Sequence, residues 1–545
     1  MIFYMLRKVL AVSLLLALFV VPSYGAAPDK DIIIVYTNDV HCGVEDHIGY
    51  AGFALYRNEM RKLTPYVTTV DAGDFAQGAT IGAISQGRYI IEIMNAVGYD
   101  VVAPGNHDFD YGMGMFEALR RNLSCGFIAC NFRTVEDNKL ILPAYKILEY
   151  GKTKIAYIGA TTPETITKST PTFFMDDKRE KYIYTFGGDL TGEKLIADIQ
   201  STVDEVRSQG VDYVIVVGHL GEYEDITNVW SAPFIAARTR GIDVFIDGHS
   251  HEITPELKIK NADGKEVIIT QSGTKLTHIG QVTIDTNGKI SSKLIDKSDG
   301  KDEEVDIAIQ KIKGMFEDTL NAYQGYTSFD LRAMDDEGTW MLRDAETNLC
   351  NLVTDAILDS ASMTKTGKAD IALTNAGGMR TNIMTGEITF NDTLSVMPFG
   401  NTVCIAEVSG QTLLDELEVG ARLAPQRNGG LLHTAGLTYT IDSRIPTPVR
   451  MDESSMLGSI EEGERRIKDV KVNGEPIDPE KIYKVISVSY VLFDHGDGHM
   501  FKGAKQIEPD FAVASDILAR YIKKLGVIPE VYENIGGQGR LTVIQ

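Results

Sequence analysis

The sequence predicts an α/β protein, because apolar runs typical of strands alternate with helical patterns along most of the chain. The first run, residues 32–36, is apolar almost throughout, as in a strand that is covered on both faces. Five such runs end in polar loops that contain glycine together with Asp, Asn or His. Loops at the carboxyl ends of strands converge on one crevice of an α/β sheet, so we expect a single site there.

The alternation can be followed in order through the first half of the chain. Strands are predicted over residues 32–36, 66–70, 99–103, 154–159, 213–217 and 242–246, and helices over residues 52–63, 89–97 and 195–209. Beyond residue 270, the strands at 278–284 and 292–295 look antiparallel. In the second half, helices are predicted over 346–360 and 411–422, with strands at 370–374, 402–408 and 483–488.

A helix separates two predicted domains. Val305, Ile309, Ile312, Phe316, Leu320 and Tyr323 repeat at spacings of three and four, which is one face of a helix. We predict this linker helix over residues 303–325. The domains are then residues 28–302 and 326–545, which suits a chain of 545 residues.

Composition and charge restrict the partners of this chain. It has 43% hydrophobic and 24% charged residues, as in ordinary globular proteins. The net charge of −23 argues against a nucleic-acid polymer or an anionic membrane as a broad-surface partner, but leaves small anionic substrates open. The five cysteines are too sparse for a disulfide framework, so buried thiols are expected.

Residues 1–27 have the pattern of a secretory signal peptide. Arg7 and Lys8 precede an apolar run over residues 9–21, and small residues follow it. The run is short for a membrane span, although an uncleaved N-terminal anchor is the alternative. We therefore expect export to the periplasm or the cell exterior, with no stable membrane span after cleavage.

The five polar loops supply ligands for two divalent metal ions. They carry carboxylates, an amide and imidazoles without thiolate, which suits Zn²⁺, Mn²⁺, Co²⁺ or Fe. A core position would explain any single histidine, but it explains poorly five histidines in such loops. With Asp74 shared, one set is Asp39, His41, Asp74 and His251, and the other is Asp74, Asn106, His219 and His249.

His107 and Asp110 follow the predicted ligand Asn106 and form a candidate catalytic pair. A carboxylate beside an imidazole orients the ring and favours its cationic form. Such a cation can stabilise the charge that develops on a phosphate, or protonate a leaving oxygen.

The second domain contains a predicted anion-binding turn. Asn375, Gly378 and Arg380 lie in a glycine-rich turn after a strand, where backbone N–H groups and a guanidinium can bind an anion. Arg343 begins the segment before the helix at residue 346. Many glycine-rich turns have no binding role. The assignment of this turn to anion binding therefore depends on the residues around it.

Two aromatic residues and a carboxylate in the same domain suit a nucleoside. Phe399 and Tyr490 lie on or next to turns, and Asp497 lies in the loop Gly-Asp-Gly. A base can stack between two rings while a carboxylate accepts hydrogen bonds from ribose hydroxyls. Taken singly, either ring is more often a core residue.

These motifs resemble those of the secreted 5′-nucleotidase family, which includes periplasmic UDP-sugar hydrolase/5′-nucleotidase and ecto-5′-nucleotidase. The resemblance runs in order through residues 38–41, 73–78, 105–110, 218–221 and 248–251 and into the second domain. It implies a four-layer αββα calcineurin-like metallophosphatase sandwich, followed by a linker helix and a 5′-nucleotidase C-terminal α/β domain. It further implies that the two domains rotate on the linker. It also implies the two metal sets above, the dyad His107 and Asp110, and substrate binding by Arg343, Asn375, Arg380, Phe399, Tyr490 and Asp497.

Three positions depart from the family pattern. Cys42 stands where glycine is usual, and His251 stands where bacterial members can have glutamine. The segment 491–495 is one residue longer than expected, so Val491 is an alternative to Tyr490 as the second stacking position.

The expected function is that of a dimetal phosphohydrolase. Nucleoside 5′-monophosphates would be cleaved to nucleoside and phosphate through a metal-bridging hydroxide, with UDP-sugars and nucleoside polyphosphates as further candidate substrates. The alternative is a 2′,3′-cyclic-nucleotide 2′-phosphodiesterase/3′-nucleotidase with the same metals. A more remote alternative is a non-catalytic nucleotide-binding surface protein. The sequence does not indicate an oligomeric state.

Overall fold

The computed structural model describes residues 27–176, 178–179, 181–222, 228–452 and 456–545. The predicted signal peptide lies outside these residues, apart from Ala27. No helix within the described ranges is both long and apolar enough to cross a membrane.

The first half of the chain contains two large β-sheets built on buried apolar runs. Ile32–Thr37, for example, is buried at every position, as predicted for a strand covered on both faces. The strands are β1 (Ile32–Thr37), β2 (Val67–Asp71), β3 (Val101–Val102), β4 (Arg133–Thr134), β5 (Tyr145–Tyr150), β6 (Thr153–Thr161), β7 (Tyr184–Thr185), β8 (Tyr213–His219), β9 (Val244–Ile246), β10 (Ile253–Lys260), β11 (Glu266–Ser272), β12 (Ile279–Ile284) and β13 (Ile290–Ile295).

Strand order brings the five polar loops to one edge of these sheets. One sheet has the order β13-β12-β1-β2-β3, and the other has the order β10-β11-β9-β8-β6-β5. β1, β2 and β3 run parallel in the first sheet, as do β6, β8 and β9 in the second. The predicted ligands lie at or just beyond the carboxyl ends of β1, β2, β3, β8 and β9.

The two sheets face each other and are covered by helices on their outer sides. Between the sheets, Tyr36 and Val70 of one belong to the same buried cluster as Tyr157 and Val217 of the other. The opposite faces pack against helices, which gives the predicted four-layer αββα sandwich. The helices of this half are α1 (Gly49–Leu63), α2 (Thr80–Ser85), α3 (Arg88–Val97), α4 (Gly112–Asn122), α5 (Thr165–Lys168), α6 (Glu193–Ser208) and α7 (Ala232–Arg238).

The predicted single linker helix over residues 303–325 is wrong in its length. The chain forms α8 (Glu303–Lys313), then α9 (Glu317–Leu320), and then the strand β14 (Tyr323–Thr327). α8 begins where the Asp302 carboxylate accepts a hydrogen bond from the backbone N–H of Val305, at 3.1 Å.

Two local effects explain this difference. Gly314 follows α8 directly, and glycine weakens a helix by about 1 kcal/mol relative to alanine. β14 pairs antiparallel with the strand at Gly386–Thr389, so its backbone hydrogen bonds are made across a sheet. At Tyr323, tertiary pairing therefore outweighs the helical spacing.

The second half of the chain forms a separate α/β unit around its own core. Its strands are β15 (Ile371–Asn375), β16 (Gly386–Thr389), β17 (Thr402–Ser409), β18 (Leu432–Ala435), β19 (Leu437–Asp442), β20 (Val449–Met451), β21 (Leu457–Ile460), β22 (Ile467–Val472), β23 (Glu475–Pro476), β24 (Ile482–Val488), β25 (Lys505–Val513) and β26 (Leu541–Ile544). The two larger sheets have the orders β18-β15-β24-β17-β25 and β23-β22-β19-β26.

Helices cover the sheets of this second unit. They are α10 (Asn348–Ser360), α11 (Phe390–Val396), α12 (Gly410–Gly420), α13 (Ser489–Leu492) and α14 (Ala514–Leu525). Within the described residues of both halves, short 3₁₀ helices lie at Asn106–Phe109, Pro171–Phe174, Asn228–Trp230, Ala361–Met363, Ala376–Gly378, Gly496–Gly498 and Glu530–Tyr532.

All five cysteines are free thiols. Cys42, Cys130, Cys350 and Cys404 are buried, and Cys125 is half-buried. The expectation of buried thiols is therefore confirmed for four of the five positions.

Candidate active site

The loops that carry the predicted ligands have an unusual backbone. Left-handed φ values are uncommon for residues other than glycine, and they cluster at functional sites. Most of the predicted metal ligands adopt them, namely Asp39 (50°), His41 (45°), Asp74 (60°), His249 (82°) and His251 (60°). The turns after β1, β2 and β9 therefore aim these side chains in directions that ordinary strand geometry does not provide.

Asp108 fastens two of these loops together. Its carboxylate accepts hydrogen bonds from the backbone N–H groups of Gly105 (2.8 Å), Asp74 (3.0 Å), Ala76 (3.0 Å) and Phe75 (3.1 Å). The sequence pattern indicated no role for this residue beside its neighbours in the loop 104–110. The structure makes it the link that holds the loop after β2 against the loop after β3.

One candidate metal group contains Asp39, His41 and His251, whose ligand atoms all lie within 4.8 Å of one another. The Nε2 atoms of the two histidines are 3.1 Å apart, and His251 Nε2 lies 3.5 Å from Asp39 Oδ1. Asp74 Oδ2 lies 3.7 Å from His41 Nε2. The structure thus brings together the four residues of the first predicted set.

A second candidate group contains Asp39, Asp74 and His219. His219 Nε2 lies 3.1 Å from Asp74 Oδ2 and 3.8 Å from Asp39 Oδ1. The other two residues of the second predicted set also meet, because Asn106 Oδ1 lies 2.8 Å from His249 Nδ1. Both carboxylates stand between the two groups, whereas the sequence suggested Asp74 alone as the shared ligand.

The donor set fits divalent cations. His41 and His219 each direct Nδ1 to a backbone carbonyl, Gln77 O at 2.9 Å and Ala72 O at 2.7 Å, so their Nε2 atoms carry lone pairs. Those lone pairs face buried carboxylates, and His219 Nε2 makes no hydrogen bond within the described residues. Imidazole lone pairs and carboxylate oxygens that face one another in a buried site are stabilised when a cation lies between them.

Burial shifts the pKa values of two of these imidazoles in the direction that metal ligation needs, whereas at His219 the effect of burial is outweighed by Asp74 and Asp39, which raise its pKa to about 9 in the absence of an ion. Burial lowers the pKa of His41 and of His251 well below the usual value, which favours the neutral rings. Burial also raises the pKa of Asp39 to about 7 in the absence of an ion. A bound cation would offset that effect and stabilise the carboxylate.

Glu164 is a residue of the site that the sequence analysis missed. It is 8% exposed, and its Oε2 accepts a hydrogen bond from His249 Nε2 at 2.9 Å. This contact leaves Nδ1 of His249 on the side of Asn106 Oδ1. Glu164 follows β6, whose loop carries no metal-ligand motif, so only its position after a parallel strand could have indicated it.

His107 and Asp110 form the predicted pair. His107 Nδ1 lies 2.6 Å from Asp110 Oδ2, and the backbone N–H of His107 donates to Asp74 Oδ1 at 2.7 Å. Burial raises the pKa of Asp110, and the imidazole of His107 partly offsets that rise. The pair is thus fixed to the metal-ligand cluster by its own backbone.

The second domain reaches this pair through Phe399. The ring centres of Phe399 and His107 are 5.7 Å apart, and the guanidinium carbon of Arg380 lies 5.6 Å from the centre of the Phe399 ring. Residues that the sequence places in the two domains therefore meet at one site.

The predicted ribose-binding residue Asp497 lies next to the predicted anion-binding turn. Asn375 Nδ2 donates to Asp497 Oδ2 at 2.8 Å, and Asp497 is 5% exposed. A Cβ atom on Gly378 would lie 3.1 Å from Asn375 Oδ1, so a small residue suits this turn.

Tyr490 contacts the first domain. Its hydroxyl donates to Thr167 O at 3.1 Å, and its ring packs so closely on Gly496 that an added Cβ would overlap the ring. Val491, the alternative stacking position, is fully buried in the core of the second domain.

Trp340 is a second residue that the sequence analysis missed. The guanidinium carbon of Arg343 lies 4.6 Å from the centre of its ring, and that of Arg380 lies 5.4 Å away. Its nearness to Arg343 in the sequence was the one available signal.

Comparison with known proteins agrees with this architecture. A family model described as calcineurin-like phosphoesterase matches residues 32–252, and one described as 5′-nucleotidase, C-terminal domain, matches residues 331–504. The snake venom 5′-nucleotidase of Gloydius brevicauda is 27% identical over 556 residues, which cover 93% of this chain and 88% of that protein.

A bacterial relative and a crystal structure give two further comparisons. The trifunctional nucleotide phosphoesterase protein YfkN of Bacillus subtilis is 26% identical over 92% of this chain and 34% of its own length. The crystal structure of the 5′-nucleotidase precursor from Thermus thermophilus superposes with a TM-score of 0.77 at 24% identity, over 94% of this chain and 99% of that chain, which shows the shared fold. The chain therefore belongs to the 5′-nucleotidase family of metallophosphoesterases, hydrolases that join a calcineurin-like phosphoesterase domain to a 5′-nucleotidase C-terminal domain.

Proposed function

We propose that this protein is an exported hydrolase that uses two divalent metal ions to release phosphate from nucleoside 5′-monophosphates. The observation that carries the proposal is the meeting of His107 with Phe399, whose ring centres are 5.7 Å apart. A nucleotide whose base stacks on Phe399 would place its phosphate beside the cluster of metal-ligand groups. The domains we propose are residues 28–302 for catalysis and 326–545 for nucleotide binding.

Two metal ions would supply positive charge and an ionised water beside the substrate phosphate. The residues that would hold these ions are Asp39, His41, Asp74, Asn106, His219, His249 and His251. Zn, Mn, Co or Fe suits these ligands. The Asp110 carboxylate orients the His107 imidazole at 2.6 Å and stabilises positive charge on the ring. His107 then stabilises the negative charge that develops on the phosphate in the transition state.

The second domain would position the nucleotide. Asp497, held by Asn375, can accept hydrogen bonds from ribose hydroxyls, and Arg343 and Arg380 can hold the phosphate. UDP-sugars and nucleoside polyphosphates present the same nucleoside and further phosphate charge, so they are additional candidate substrates. Export is proposed because residues 1–27 have the pattern of a signal peptide.

A second candidate activity is that of a 2′,3′-cyclic-nucleotide 2′-phosphodiesterase/3′-nucleotidase. The relative YfkN, which is named a trifunctional nucleotide phosphoesterase, supports this alternative. The metal cluster and the dyad would serve either reaction, because both need an ionised water and charge stabilisation at phosphorus.

Hydrolysis of 5′-AMP, 3′-AMP, UDP-glucose and 2′,3′-cyclic AMP under identical conditions separates these activities. We expect 5′-AMP to be the preferred substrate, EDTA to abolish its hydrolysis, and Mn²⁺ or Zn²⁺ to restore it. Preference for the cyclic or 3′ substrates would favour the alternative. Full activity after verified metal removal would contradict the two-metal proposal, and AMP binding without phosphate release would indicate a binding protein.

A further inference from the structure

Trp340 contacts both arginines that are proposed to bind the substrate. The guanidinium carbon of Arg343 lies 4.6 Å from the ring centre, and that of Arg380 lies 5.4 Å away. Both distances fall within the range of roughly 6 Å over which a cation is attracted to the face of an aromatic ring. Two cations from separate segments of the chain thus share one indole.

Arg380 shows what the indole contributes. Its side chain is 8% exposed, and it contacts the rings of Trp340 and Phe399. Among the described residues, the structure gives its guanidinium neither a hydrogen bond nor an ion pair. Burial, and then the charge of Arg343, lower its pKa to about 10. The faces of two aromatic rings therefore hold the buried Arg380 guanidinium, and its N–H groups can donate hydrogen bonds to a bound anion.

The backbone around Trp340 is fastened to the segment that carries Arg380. Asn382 Oδ1 accepts hydrogen bonds from the backbone N–H groups of Ala333 (2.6 Å) and Met334 (2.8 Å). Met334 in turn pairs with Trp340 in an antiparallel bridge. A change of the ring should consequently alter the orientation of the two arginines while the loop keeps its place.

We propose that Trp340 is a positioning residue that orients Arg343 and Arg380 toward the phosphate of the substrate. This inference rests on the proposed nucleotide hydrolysis, because that function supplies the phosphate as the anion. The arginines would hold the phosphate in the ground state and in the transition state alike. Loss of the ring should therefore weaken substrate binding more than turnover.

Kinetics of Trp340→Leu and Trp340→Phe test this role. We expect Trp340→Leu to raise KM for 5′-AMP by about tenfold, with kcat nearly unchanged, and Trp340→Phe to have a smaller effect because it keeps an aromatic face. Inhibition by inorganic phosphate should weaken by a similar factor, whereas inhibition by adenosine should stay the same. A constant KM with a reduced fraction of folded enzyme would overturn the proposal, since it would show a purely structural role.

Fluorescence gives a readout that is independent of catalysis. The chain has two tryptophans, and Trp230 is buried in the first domain, where its Nε1 donates to Asp189 O at 2.9 Å. Titration of the full-length, metal-free protein with inorganic phosphate should change the fluorescence of the wild type, and Trp340→Phe should lose that change. An identical change in both proteins would overturn the proposal. If no nucleotide is hydrolysed but the signal still depends on Trp340, the proposed function fails and the positioning role stands.

Discussion

At the scale of single residues, the pair His107 and Asp110 gives the sharpest test of the chemistry. We expect His107→Ala to retain its metal content and to lower kcat by about 10²- to 10⁴-fold, because charge stabilisation at the phosphate is lost. Steady-state kinetics together with metal analysis measure both effects. His47→Ala is the matched control, since His47 is exposed and lies outside the site. Normal turnover of His107→Ala would remove this residue from the mechanism.

Single residues also show how far a sequence can locate a site. The clustering of the candidate ligands could be predicted because each follows an apolar strand, and because the carboxyl ends of parallel strands meet. Glu164 and Trp340 could not, because neither lies in a ligand motif and each acts through a contact made by distant parts of the chain. Asp108 lies within a recognised motif, but its role could not be predicted because it depends on hydrogen bonds to a different loop.

At the scale of the elements, β18 contains a histidine that should make the second domain sensitive to acid. His433 is 2% exposed, its Nε2 donates to Leu342 O at 2.7 Å, and burial lowers its pKa from 6.5 to about 4. Above pH 6.5 both the folded and the unfolded chain hold it neutral. Between pH 6.5 and 4 the unfolded chain gains a proton that the folded chain does not, so stability should fall by up to about 3 kcal/mol.

Urea unfolding as a function of pH measures this contribution. We expect His433→Gln, whose amide can still donate to Leu342 O, to lose less stability than the wild type between pH 6.5 and pH 4. The same decrease in both proteins would show that other groups cause the acid sensitivity.

The elements themselves were predictable where a pattern and its environment agree. β1 and β8 are apolar and buried, so their prediction from the sequence is confirmed. The prediction of a single linker helix was wrong because it relied on the helical spacing of apolar residues over 305–323. In the structure, the helix ends before Gly314, and β14 pairs with another strand. Spacing alone does not reveal a partner that lies about 60 residues further along the chain.

At the scale of the whole molecule, side-chain contacts hold the two domains together beside the site. Asp494 Oδ1 accepts hydrogen bonds from Thr172 Oγ1 and from Arg179 Nη1, each at 3.2 Å. On another side, Thr80 Oγ1 donates to Asn391 Oδ1 at 2.6 Å. Asp494 lies in the segment 491–495, which the family resemblance marks as one residue longer, and its two contacts stabilise this arrangement of the domains.

Removal of the Asp494 carboxylate should favour separated domains. Arg179 is largely exposed, so the contact is worth about 1 kcal/mol or less. The family resemblance implies that the domains rotate on the linker, and Asp494→Ala should raise the ratio of molecules with separated domains to molecules with contacting domains up to about fivefold. Small-angle X-ray scattering should then show a larger radius of gyration. Glu480→Ala, which removes an exposed carboxylate elsewhere in the second domain, is the control. Equal radii for the two variants would contradict the expectation.

The left-handed backbone at Asp39, His41, Asp74, His249 and His251 has a consequence for engineering. Each such position costs on the order of 1 kcal/mol or more for a residue with a side chain, and glycine would relieve that strain. The substitution that most relaxes each loop is therefore also the one that deletes a candidate metal ligand. Selection for thermostability without selection for turnover should drift toward an inert scaffold, so a stabilised enzyme has to be sought by changes far from these five positions.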